Sequence, residues 1–122
     1  MTTRGIRGAT TIECDSKQNV IAATQELLEV ILASNPSLQR EDIASALFTV
    51  TDDIVSVHPA LSAREMGWTE VPVMCAREIP VRDSLPLCIR VLIHWNTELP
   101  QSEIKHVYLR EAVSLRPDLV TR

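Results

Sequence analysis

The chain lacks most of the patterns that announce a chemistry. It contains no G-x-G-x-x-G or P-loop sequence, so a glycine loop cradling phosphates has no support. It has no internal repeat and no low-complexity tract, which sets aside solenoid and array architectures. The three histidines (His58, His94, His106) stand at no metal-ligand spacing from one another or from the cysteines, so no metal and no cofactor is expected. The three cysteines (Cys14, Cys75, Cys88) are odd in number and form no C-x-x-C pair. With no signal-peptide pattern at the start, that usage leads to the expectation of a reducing, cytoplasmic setting. No apolar run approaches the roughly 18 residues of a membrane span. Basic excess is missing too: the net charge is −4, which argues against nucleic acid or a membrane surface as partner.

Lysine is also scarce, and that scarcity turns attention to what is present. Ten of the twelve basic residues are arginine, with lysine only at 17 and 105. Codon usage alone can produce this, but the planar guanidinium fork also suits carboxylate and phosphate ligands. The length of 122 residues fits one domain, 1–122, with 116–122 expected to be a mobile C-terminal tail. A hydrophobic share of 45% and a charged share of 23% are ordinary for a globular chain.

Periodicity supplies the elements. "TTRGIRGATTI" is β-branched and reads as a first strand, its two glycines suggesting a bulge or a close backbone approach. "DSKQ" at 15–18 has the form of a capping box and opens a long helix. Its apolar positions Val20, Ile21, Ala23, Leu27, Leu28, Ile31 and Leu32 recur at steps that make one buried stripe. "NPS" at 35–37 ends it. "IASALFTVT" reads as a strand and "PALSAREMGW" as a short helix with Gly67 at its end. "VPVMCAREIPV" is extended, restricted by Pro72 and Pro80 to an edge or an irregular segment. "LPLCIRVLIHWNT" reads as a central strand, "KHVYL" as a last strand and "REAVSL" as a helical turn. The order β-α-β-α-β-β predicts an α/β or α+β layer fold with a mixed sheet, one long helix and short helices. So few helices cannot cover both sheet faces, so a symmetric oligomer with sites at its junctions is expected.

Arg90 poses the functional question. In the central strand, Leu87, Ile89, Val91 and Ile93 share one face, while Cys88, Arg90, Leu92 and His94 share the other. A guanidinium is charged at any ordinary pH, and burying it unpaired costs several kcal/mol or more. Arg90 must therefore reach water, an anion of the protein, or an anion from outside. Glu78 is the obvious internal partner.

Four stretches settle more than the pattern does. "RGIRGATT", "VPVMCAREI", "CIRV" and "HVYLREAVSLRPDL" resemble, in order and spacing over essentially the whole chain, the small trimeric chorismate mutases of the AroH class. The resemblance implies a homotrimer forming a pseudo-α/β-barrel, with a site at each junction between subunits. It implies rearrangement of chorismate to prephenate without a cofactor, on the shikimate route to phenylalanine and tyrosine. Arg7, Arg90 and Tyr108 match ligand-contacting positions. Cys75 and Glu78, with Met74, Ala76 and Arg77 around them, match the segment about the ligand's hydroxyl. Arg64 and Arg116 match cationic positions near the mouth. Arg90, Glu78 and Arg7 are the expected catalytic set. His58 stands where relatives carry phenylalanine, and the Arg64–Gly67 segment is one residue shorter than in some of them. Two other classes share some of these features: a non-catalytic trimeric carboxylate binder of the same fold, and a small hydrolase or deaminase with an interfacial arginine.

Overall fold

The computed structural model describes residues 2–115. Its elements are β1 (Thr3–Thr11), α1 (Lys17–Ser34), β2 (Ile43–Val50), α2 (Ala60–Glu65), β3 (Val73–Arg77), β4 (Cys88–Asn96) and β5 (Val107–Tyr108). Single 3-10 turns occupy Arg40–Asp42, Gln101–Glu103 and Arg110–Ser114. The five strands form one mixed sheet in the order β3-β2-β4-β1-β5. β4 is central, as its sequence predicts, and runs antiparallel to both β1 and β2. The edge strands β3 and β5 pair in parallel with β2 and β1.

Alternation along the strands creates two unlike faces. One carries Ile6, Phe48, Val91, Ile93, Trp95 and Val107, which join Leu27, Leu28 and Ile31 of α1 and Ala63 of α2 in the main core. Four apolar α1 side chains (Val20, Leu27, Leu28, Ile31) are fully buried, each contributing about 1.5–3 kcal/mol of gross transfer free energy. Gly8 lets the helix come this close. A Cβ there would lie 2.8 Å from Ile31 Cδ1 and 3.1 Å from Val91 Cγ1. The glycine in the first strand thus marks a close approach, not a bulge.

The start of α1 differs from expectation. Ser16, not Asp15, is the N-cap, and its hydroxyl oxygen accepts from Asn19 N–H at 3.1 Å. The Asp15 carboxylate turns outward and accepts from the N–H groups of Val55 and Ser56 and from the Ser56 hydroxyl. A carboxylate holding three donors is better satisfied there than as a cap. At the other end, Asn35 ties α1 to the approach to β5. Its amide donates to Ile31 and Lys105 carbonyls and its oxygen accepts from Lys105 N–H.

The second face of the sheet bears Arg7, Thr49, Arg90, Leu92 and Met74, and no described helix lies along it. Leu47 is exposed there, and Met74 is 71% exposed. A small cluster of Ala9, Cys88, Tyr108 and Ala112 closes one end, where the Arg110–Ser114 turn folds back on β1.

Candidate active site

Five elements aim side chains at one cleft on the open face. Arg7 comes from β1, Thr49 from β2, Arg90 from β4 and Tyr108 from β5, while Glu78 follows directly after β3. The cleft measures about 330 Å³, and its floor and walls include Ala9, Leu47 and Leu92. Register explains the convergence. Arg7 stands opposite Leu92, Ala9 opposite both Arg90 and Tyr108, and Thr49 opposite Arg90. Residues in register project from the same side of a sheet.

The backbone beneath is firmly tied. Arg7 N–H donates to His106 Nδ1 at 2.9 Å, and Leu109 N–H donates to Ala9 O at 2.9 Å, locking the strand of Tyr108 against that of Arg7. His106 is thus a strand tie. Glu78 N–H donates to Val50 O at 2.8 Å, which fixes the carboxylate's origin beside β2.

Electrostatically the cleft is left unfinished. Arg90 Nε lies 3.8 Å from Glu78 Oε2, within ion-pair range, yet it is buried with no hydrogen-bond partner. The hydroxyl of Thr49 donates to that same Glu78 oxygen. The phenol of Tyr108 is likewise buried without a partner. Buried donors left unmade cost about 1–3 kcal/mol each, so two in one cleft is a feature with a function to explain. The Arg7 side chain makes no hydrogen bond or ion pair among the described residues. Two guanidinium groups against one carboxylate leave the cleft cationic. Beneath it, burial pushes the Cys88 thiol up from its ordinary pKa, partly opposed by the charge of Arg90.

The other anticipated residues lie elsewhere on the chain. Cys75 stands opposite Phe48 in the β2–β3 ladder, which turns it toward the helical face. With Ala76, Arg77, His58 and Pro59 it borders a second cleft of about 420 Å³. Desolvation raises the Cys75 thiol pKa, which favours the neutral thiol over the nucleophilic thiolate. Arg77 is engaged: its guanidinium donates at 2.7 Å to the carbonyls of Thr51 and Ile54 and lies 3.8 Å from Asp52. Arg64 is exposed on the last turn of α2, and Met74 is exposed on the open face. Arg116 and the rest of the 116–122 tail lie outside the described residues. Arg7, Glu78, Arg90 and Tyr108 are therefore brought together within one chain, and the Cys75–Arg77 segment is not. Thr49 escaped the sequence, since a threonine in a β-branched strand carries no mark. Only the register with Arg90 reveals it.

A partly buried, cationic cleft with one carboxylate is suited to hold a small polyanion. Comparison with known proteins makes this specific. The profile of the family "Chorismate mutase type I" matches residues 3–119. Chorismate mutase AroH of Thermus thermophilus is 53% identical over 116 residues, 95% of each chain. Its counterpart in Bacillus subtilis (strain 168) is 45% identical over 120 residues, 98% of this chain and 94% of that one. A solved chorismate mutase from Clostridium thermocellum superposes with a TM-score of 0.87 at 45% identity, covering 90% of this chain and 97% of that one. The chain belongs to the type I chorismate mutase family.

Proposed function

We propose that the protein is a chorismate mutase, an isomerase of aromatic amino-acid biosynthesis, whose active site is the cleft of Arg7, Glu78, Arg90 and Tyr108. The observation that carries this assignment is the buried Arg90 Nε, left without a hydrogen-bond partner beside a carboxylate at 3.8 Å. An arginine kept for a structural pair would close on its partner. One kept for a substrate anion stays open.

The chemistry asks for little else. In the rearrangement of chorismate to prephenate, an ether C–O bond breaks as a new C–C bond forms within one molecule. No proton, electron or atom is exchanged with the protein. Catalysis then consists of holding the side chain over the ring and stabilising the charge that separates in the transition state. Arg90 faces the ether oxygen, where negative charge grows as the bond breaks. A fixed cation does this without reorganisation, which is why such donors dominate catalysis in water-poor sites. Arg7 and the Tyr108 phenol grip the side-chain carboxylate. Glu78 accepts the ring hydroxyl and faces the complementary, partly positive part of the transition state.

The protein works as a homotrimer in this proposal. Its open sheet face carries exposed Leu47 and Met74 beside the catalytic cleft, while Cys75 and His58 line the second cleft and Arg64 is exposed on the last turn of α2. Packing one copy's open face against the second cleft of its neighbour would bring both residue sets around one substrate. Such an interface also removes the apolar exposure. The free cysteines suit a reducing compartment, and the cytoplasm is the proposed location. No helix among the described residues is long and apolar enough to cross a membrane.

The test is loss of chorismate absorbance in the ultraviolet, with no addition but buffer. Turnover with stoichiometric appearance of prephenate supports the assignment. Saturable binding without turnover would instead identify a carboxylate-binding protein of the same fold.

A further inference from the structure

Glu78 and Arg90 are within reach of each other, yet they do not close. The side chain that adjoins both is Thr49. It stands opposite Arg90 in the β2–β4 ladder, and its hydroxyl donates to Glu78 Oε2, the oxygen nearest Arg90 Nε. We propose that Thr49 is a positioning residue of the active site, holding the Glu78 carboxylate in place and so keeping Arg90 available to the substrate anion. This rests on the assignment of the cleft as the chorismate site.

The physical case is a competition for one oxygen. A carboxylate oriented by a hydroxyl has one preferred rotamer and one defined free edge. Here Oε1 has no protein partner among the described residues and is left for the substrate hydroxyl. Remove the Thr49 hydroxyl and Glu78 loses its fixed donor. The donor remaining in ion-pair range is Arg90 Nε, already desolvated and without a hydrogen-bond partner. Direct closure would satisfy both groups, since charge-assisted guanidinium–carboxylate bonds are the stronger kind. The same closure would neutralise the cation that must meet the breaking bond. Thr49 thus maintains an open pair that would otherwise collapse in the empty site.

Thr49→Val removes the hydroxyl while keeping shape, and Thr49→Ser keeps the hydroxyl on a smaller side chain. Thr49→Val should lower kcat/KM by about tenfold or more, with much of the loss in KM because the empty site becomes self-paired. Thr49→Ser should recover most of it. In a Glu78→Gln background, Thr49→Val should add little further loss, because a neutral amide does not capture Arg90. A second readout needs no turnover. In the ligand-free protein, the 15N-resolved Nε–H signal of Arg90 should move downfield and exchange more slowly in Thr49→Val, and match the wild type in Thr49→Ser. Should the valine variant be unstable, Thr49→Ala carries the same expectations. Unchanged kinetics with an unchanged Arg90 signal would overturn the proposal, as would a serine variant no better than valine. If the wild type fails to convert chorismate, only the functional assignment falls, and the Arg90 signal still decides the role of Thr49.

Discussion

Replacing Arg90 with methionine separates a catalytic cation from a structural one. Methionine has similar length and no charge, and two effects on stability follow from the geometry. The pair with Glu78 is loose, at 3.8 Å between groups that are 32% and 23% exposed, so losing it costs about 0–1 kcal/mol. Against that, a buried Nε with no partner disappears, relieving a penalty of about 1–3 kcal/mol. Glu78 is not stranded, because it keeps the Thr49 hydroxyl. The melting temperature should therefore hold or rise by a few degrees, about 4 °C per kcal/mol for a chain of this size. Activity should fall by ~10²–10³-fold, the scale for losing one preorganised donor to a developing oxyanion. Arg90→Lys should restore only part, since lysine keeps the charge without the rigid fork. Thermal melts and steady-state kinetics on the same preparations give both answers. A variant destabilised by roughly 3–5 kcal/mol but kinetically normal would refute the reasoning, for that is the signature of a broken buried pair.

Light scattering should report a particle of about three times the 13.6 kDa chain, and an active monomer would contradict the shared-site arrangement. Cys75→Ser should keep substantial activity, because the thiol is held neutral by desolvation, and complete loss with an intact fold would show a chemical role. Gly8→Ala should destabilise by about 1–3 kcal/mol, because its methyl would press on Ile31 and Val91 across the α1 packing. Asp15, whose pKa is lowered chiefly by the Ser56 hydroxyl and then by the Val55 amide, should stabilise the fold above its unfolded value near 3.8. That contribution should vanish as pH falls through the lower folded value. The melting-temperature gap between wild type and Asp15→Asn should accordingly be widest near neutrality and close in strong acid.

Local periodicity made most of the fold legible. The alternation around Arg90 identified β4 as a strand with one apolar and one mixed face, and the spacing of Val20 to Ile31 identified the buried side of α1. Where several local solutions compete, the sequence was ambiguous. "DSKQ" reads as a capping box led by Asp15, but the distant Val55–Ser56 amides claim that carboxylate and the cap falls to Ser16. The 3-10 turn at Arg40–Asp42 leaves no mark in the sequence, because three residues carry no period. Arg7, Glu78, Arg90 and Tyr108 were legible through the family's motifs. Their convergence depends on strand order and register, which no local stretch encodes. The same register separates Cys75 from them, because β3 pairs so that Cys75 meets Phe48 on the helical side.

The most direct test of the whole account is a crystal structure with prephenate bound. The carboxylates should lie within hydrogen-bond reach of Arg7, Arg90 and the Tyr108 phenol, with a hydroxyl facing Glu78 and the Cys75 segment of a neighbouring copy forming the opposite wall. Prephenate seated away from Arg90, or enclosed by a single chain, would contradict it.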